Sequence, residues 1–155
     1  MDPMNSKQDA ATPKTPRWLS IVLWVLQVLL ALLFLWHGQF MVMPPAEMVA
    51  MIDESMGAGL RVFIGVAEIL AAIGLILPAL TRILPVLTPL AAAGLMIVMG
   101  CAAGFHAIRG ETSSAISAAV IFLMVTLVAY LRWKVAPIMP RAAAKQADEA
   151  PVLEA

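Results

Sequence analysis

Four long apolar blocks separated by short polar or proline-bearing breaks leave this chain few folds. They fall at about residues 18–37, 60–78, 83–104 and 113–133. Each has the roughly 20 residues that carry an α-helix across the hydrocarbon core of a bilayer. In lipid every backbone N–H and C=O must be satisfied internally, so an uninterrupted apolar block of this length reads as a helix. Of the 155 residues, 62% are hydrophobic and 13% charged, an excess of apolar residues over what a soluble domain carries. The expected fold is therefore all-α, an integral membrane four-helix bundle.

The first block follows Lys14 and Arg17, as the apolar core of a signal peptide would. It is too long for such a core, and Phe34-Leu35-Trp36-His37-Gly38 lacks the small-residue pattern of a cleavage site. It reads as an uncleaved anchor that becomes the first span, with Trp18 and Trp36 as interfacial aromatics at its two ends. Residues 1–16 are polar and read as a disordered cytoplasmic tail; residues 17–134 form the membrane domain; residues 135–155 form a second cytoplasmic tail. Within the first loop, Ala46 to Met56 has the mixed composition of a short interfacial helix. Pro78 is expected to close the second span, and Pro85 and Pro89 fall where the third span starts.

Lysine and arginine set the orientation. Lys7, Lys14, Arg17, Arg82, Arg132, Lys134, Arg141 and Lys145 share one side of a four-span chain, against Arg61 and Arg109 on the other. Both termini are therefore expected to be cytoplasmic. The basic residues form no patch or stripe of the kind that binds nucleic acid. A lone cysteine, Cys101, excludes an intrachain disulfide or a multi-cysteine metal site. Gly100 and Gly104 form a G-x-x-x-G, a weak pointer to a homodimer seam.

Glu68 is the costliest residue in this pattern. A carboxyl group in hydrocarbon is rarely kept without a partner or a purpose. At about 1.5 Å per residue it lies about 12 Å below the outer end of its span. The same count puts Gln27 at that depth in the first span, which makes a Gln27–Glu68 hydrogen bond available. The plain reading of such a pair is interhelical glue, worth about 1 kcal/mol or less. Arg61 shares a helix face with Glu68, but both side chains lean toward the helix N-terminus and about 10 Å of rise separates them. They are not expected to pair directly. Arg61 and Glu68 read instead as a polar file descending from the outer face, with His37, His106, Arg109 and Glu111 near its top.

This cluster fits a pocket for a small lipid-soluble molecule with a polar head, such as a quinone. Glu68 would be the proton-exchanging group. Arg61 and His106 would orient the head group, Glu111 would tune His106 or Arg109, and His37 and Gln27 complete the candidate ligand-binding set. Bis-histidine haem between His37 and His106 is disfavoured, because spacing alone supports nothing for it. A metal site from His37, His106 and Glu68 or Glu111 has no motif spacing either, and no metal is expected. The scattered methionines read as core filler. No phosphate-binding loop, nucleophile elbow or zinc-protease motif is present, so a self-sufficient soluble-type catalyst is not expected.

The segment Arg61-Val-Phe-Ile-Gly-Val-Ala-Glu68-Ile-Leu-Ala-Ala-Ile-Gly-Leu-Ile-Leu-Pro78 resembles the second span of the DoxX-like family. The loop from His106 to Glu111, the basic turn at Arg82 and the Leu131-Arg132 end of the fourth span add to the likeness, which covers about residues 18–133. The matched positions are Gly38, Arg61, Gly65, Glu68, Pro78, His106 and Glu111. The resemblance implies a small four-helix protein of the bacterial inner membrane. The family takes its name from a subunit of a thiosulfate:quinone oxidoreductase, and other members are associated with redox or quinone stress. Many relatives carry a G-x-x-K-like element after the first span; this chain reads Gly38-Gln39-Phe40-Met41, without the lysine.

The expected function is a redox-associated membrane subunit that binds a quinone-like molecule in the outer half of the bundle and works with a redox partner protein. The alternative is a non-enzymatic scaffold or assembly protein whose buried Glu68 only fixes helix packing.

Overall fold

The computed structural model describes residues 16–143. The expectations for the first 15 residues and for 144–155 lie outside the described residues. Five α-helices follow one another: α1 (Arg17–Val42), α2 (Ala46–Met56), α3 (Ala58–Thr81), α4 (Leu87–Ile108) and α5 (Thr112–Tyr130). A π-helical turn, Leu131–Val135, continues α5. Among the described residues there is no strand. Four helices, α1, α3, α4 and α5 with its π turn, are long and apolar enough to cross a membrane.

The membrane helices bury narrow stripes and leave the rest of each surface apolar and exposed, as lipid-facing helices do. In α3 the buried residues are Arg61, Gly65, Glu68, Ala72, Leu75 and Ala79, with Pro78 beside them. Their spacing alternates four and three, the 3.5-residue period of helices crossing at a shallow angle. In α4 the stripe is Thr88, Ala92, Leu95 and Met99, and in α1 it runs through Leu23, Gln27, Leu30, Phe34 and Gly38. Helix α1 packs along α3, α3 along α4, and α4 along α5, while α1 meets α5 more sparsely. Leu30, Phe34, Ala72, Leu75, Leu95, Val125 and Val128 make the common core.

Lipid is as apolar as leucine, so close packing has to hold these helices together, and small residues permit it. The tightest approach is between Gly38 of α1 and Gly65 of α3. A Cβ built on either would lie 2.7 Å from the carbonyl oxygen of the other. Gly100 and Gly104 do not play this part within the bundle: both are exposed, and a Cβ at Gly104 would meet nothing within 4 Å.

Three helix limits differ from the sequence expectation. Helix α1 continues five residues past His37, because Gly38 serves as a contact point rather than a terminator. Pro78 does not end α3. It is buried one turn before the helix stops, at a left-handed Arg82 (φ 57°). Helix α4 begins at Leu87, which puts Pro89 in its first turn, where the missing N–H costs nothing. The chain after the π turn is also placed: Ala136 is buried, and the Arg141 N–H donates to the Arg82 carbonyl at 3.2 Å. This segment straps the ends of α1, α3 and α5 together.

Candidate functional site

The crossing at Gly38 and Gly65 sets the register of α1 against α3, and every polar contact between them follows from it. One residue before Gly38, His37 places Nδ1 at 2.6 Å from Oε2 of Glu68. Glu68 is fully buried, whereas the His37 side chain is 38% exposed, so the imidazole links a buried carboxyl group to an accessible space. The bond gives the carboxyl group a partner, and it offsets part of the cost of keeping that group away from water. The second oxygen, Oε1, is buried without a hydrogen-bond partner.

Arg61 and Glu68 are not paired, in keeping with the helix geometry, but the polar file between them is absent. The Arg61 side chain donates from Nε to Oδ1 of Asp53 at 2.6 Å and from a terminal nitrogen to the Met41 carbonyl at 2.5 Å. It thus clamps α2 and the end of α1 onto α3. Between Arg61 and Glu68 stands Gly65, with Gly38, Met41 and Val42 of α1 pressed against it. A neighbouring helix fills the gap, and Arg61 is turned away from Glu68.

Gln27 is also elsewhere. Its Nε2 donates to the Leu75 carbonyl at 2.7 Å, and its Oε1 accepts from Nε of Arg132 at 2.6 Å. Leu75 lies seven residues beyond Glu68, about 10 Å further along α3. The depth count failed because it took His37 as the outer end of a helix that reaches Val42.

The accessible space beside Glu68 is a pocket of about 320 Å³. Four helices line it: His37 and Phe34 from α1, Glu68 from α3, Met99 and His106 from α4, and a serine wall of Ser113, Ser114 and Ser117 from α5. Leu33, Ser113 and Ser117 are exposed, so its mouth lies at the sparse seam between α1 and α5. It therefore opens sideways from the bundle, in the half that carries α2.

His106 is built like His37. Its Nδ1 lies 2.5 Å from Oε2 of Glu111, while Oε1 of Glu111 accepts from Nε of Arg109 at 2.8 Å. Arg109 also stacks over the Phe105 ring at 5.3 Å. The Arg109 hydrogen bond, and after it that to His106, hold the Glu111 carboxyl below its ordinary range. Each histidine thus has Nδ1 tied to a glutamate, which fixes the ring and leaves Nε2 without a protein partner among the described residues.

Of the sequence candidates, Glu68, His37 and His106 meet at one pocket, with Glu111 behind His106. Arg61 and Gln27 are held elsewhere. Sequence reasoning left the three serines out of the candidate site, although they cluster at the start of an otherwise apolar block. It also passed over Arg132 as a buried group, although Arg132 continues the buried spacing of Ala118, Val125 and Val128.

A family model described as the DoxX-like family matches residues 25–129, more than half of the chain and all of the pocket-lining residues. No curated protein and no solved structure matches the chain.

Proposed function

Since the chain belongs to the DoxX-like family, we propose that it is a redox-associated subunit of the bacterial inner membrane that binds the head group of a quinone-like molecule in the pocket between α1 and α5. Both termini face the cytoplasm in this reading, following the basic residues around Arg17, Arg82 and Arg132. The pocket then lies in the outer half of the membrane.

One observation carries the reading. Glu68, with its buried and unpartnered Oε1, is one of the residues around a pocket that two carboxylate-backed histidines also line. An orphaned buried oxygen in a native structure calls for a ligand or a water. The residues fit the class: two imidazole nitrogens to meet two ring oxygens, a carboxyl group, apolar walls from Phe34 and Met99, and a mouth on the lipid side. At about 320 Å³ the space is at the small end of ligand pockets, a size for a head group rather than a whole lipid.

The residue chemistry is that of proton handling. With Nδ1–H donated to its glutamate, a neutral histidine presents a lone pair at Nε2 and accepts a hydroxyl hydrogen. The imidazolium presents Nε2–H and donates to a carbonyl. His37 can pass its proton along the 2.6 Å bond to Glu68. When bound, the quinone-like group would supply the electron chemistry, with a redox partner protein as the other party.

The test is equilibrium binding of a short-chain ubiquinone analogue to the detergent-purified protein. Wild type should bind saturably. Glu68→Gln, which cannot lose a proton, and His37→Ala should each weaken binding about tenfold, the worth of a hydrogen bond to a charged group. Absence of saturable binding, or a Glu68→Gln protein that binds as wild type, leaves the scaffold reading in its place.

A further inference from the structure

A second pocket, of about 380 Å³, lies at the opposite end of the bundle. Ser20 and Trp24 of α1, Ala79 and Arg82 at the end of α3, Arg132 of the π turn, and the strap Ala136–Met139 line it. The function proposed above makes no use of it.

Arg132 is 5% exposed. Its Nε is committed to Gln27, and its planar group lies over the Trp24 ring at 5.6 Å. Of its terminal nitrogens, one reaches the Ala136 carbonyl only at 3.5 Å, and the other is buried without any acceptor. Arg82, on the rim, makes no side-chain hydrogen bond or ion pair among the described residues. Two guanidinium groups therefore line one pocket, and the described chain supplies no counter-charge. Its acidic residues, Glu47, Asp53, Glu54, Glu68 and Glu111, all belong to the other half of the bundle.

A buried cation without an anion is expensive, and burial is tolerated when a partner completes it. A guanidinium offers paired N–H groups that match the oxygens of a phosphate. Ser20 adds a hydroxyl, and Trp24 adds the interfacial aromatic surface beside which phospholipid head groups sit. Basic pockets between membrane helices at the positively charged side accept anionic head groups by this chemistry. The π turn has a part in this: it follows the regular helix after Tyr130 and carries Arg132, and the strap that follows forms the far wall.

We infer that this pocket is an anion site for a phosphate group, with Arg132 as its buried anchor and Arg82 as its rim contact. The shared chemistry is a phosphate oxygen; the sources are a phospholipid head group and the free ion.

The test uses the full chain, purified in a lipid-free mild detergent, and reads thermal stability and native mass spectra. Phosphatidylglycerol, phosphatidylcholine and inorganic phosphate are added in turn. Retention of phosphatidylglycerol over phosphatidylcholine, with a rise in melting temperature, supports the site with a lipid as its source. A rise with inorganic phosphate alone supports the site with the free ion as its source. Arg82→Gln should weaken the effective ligand about fivefold, as one basic residue at a membrane surface contributes. The change leaves the fold alone, because only the Arg82 carbonyl has a structural bond. Ser20→Ala is the second variant, expected to weaken binding without altering stability in the absence of ligand. Equal effects of anionic and zwitterionic lipid with none from phosphate, or an Arg82→Gln chain that binds as wild type, overturn the proposal.

Discussion

Gly38 and Gly65 face each other so closely that neither can carry a side chain: a methyl group on one would lie 2.7 Å from the carbonyl oxygen of the other. From this one contact follow the His37–Glu68 bond, one residue away on α1, and the Arg61 bond to the Met41 carbonyl, one turn further. Neither glycine is needed for a turn or a positive φ; both sit inside helices.

Gly65→Ala should therefore act at a distance from its own volume. The added methyl meets Val42 at 2.8 Å and the Met41 Cβ at 2.9 Å as well as backbone, and backbone cannot give way cheaply. Overpacking of this sort costs about 1–3 kcal/mol. The expected result is a lower unfolding midpoint in a denaturing-detergent titration, together with faster exchange of the His37 ring proton by NMR. Gly104→Ala, which meets nothing within 4 Å, is the control and should leave both unchanged.

Glu68→Leu separates function from stability. The carboxyl group has one satisfied oxygen and one orphan, so its removal relieves an unpaired polar atom as well as breaking the bond to His37. The His37 side chain left behind is 38% exposed, so losing this bond orphans no buried group and costs about the net worth of one hydrogen bond. The variant should unfold within about 1 kcal/mol of wild type or above it, while the pocket loses its affinity for the quinone analogue. A large loss of stability in the same titration would show that Glu68 is kept for packing.

How far the sequence reached depends on what each feature needs. The four helices need only length and apolarity, and these stand in the primary structure. The α2 helix was legible from its mixed composition, and the separation of Arg61 from Glu68 followed from the lean of helical side chains. Register between helices is different. Nothing in the chain marks Gly38 as the partner of Gly65, because a glycine after a span looks the same as a helix stop. Once α1 is taken to end near His37, Gln27 slides up to the level of Glu68, and the true partners, Leu75 and Arg132, are lost. The same error drew a polar file below Arg61 where α1 is pressed against Gly65. Arg132 was hidden for another reason: a basic residue at a helix end reads as a marker of orientation, and its burial depends on a strap that has no periodic signal.

Acid should loosen the loop between α4 and α5 through Glu111. Its hydrogen bonds to Arg109 and His106 lower its value in the folded chain from the ordinary 4.5. For a carboxyl group with a lowered folded value, the unfolded state binds the proton more readily, so the contribution to stability is present above 4.5 and is lost as pH falls through the folded value. Amide exchange at residues 105–112, corrected for its intrinsic pH dependence, should rise as pH drops below this range. Glu111→Gln should show the loosened behaviour already at neutral pH and no further acid step. An acid step of the same size in that variant would assign it to another group.

Gln27 and Arg132 offer the sharpest test of the buried network. Gln27 joins α1 to the α3 backbone on one side and to Arg132 on the other, and among the described residues it supplies the one close acceptor of a guanidinium that is 5% exposed. Gln27→Leu removes that acceptor and leaves a cation buried without a partner, a change worth about 3–5 kcal/mol. Arg132→Leu alone leaves Gln27 bonded to Leu75 and costs less. The double variant removes the cation along with its partner, so most of the Gln27→Leu loss should return. In a double-mutant cycle the coupling between the two positions should exceed about 1 kcal/mol, well above the tenths expected of independent sites. Additive losses would mean that Arg132 finds another acceptor when Gln27 is gone, with the Ala136 carbonyl, now 3.5 Å away, as the nearest one available.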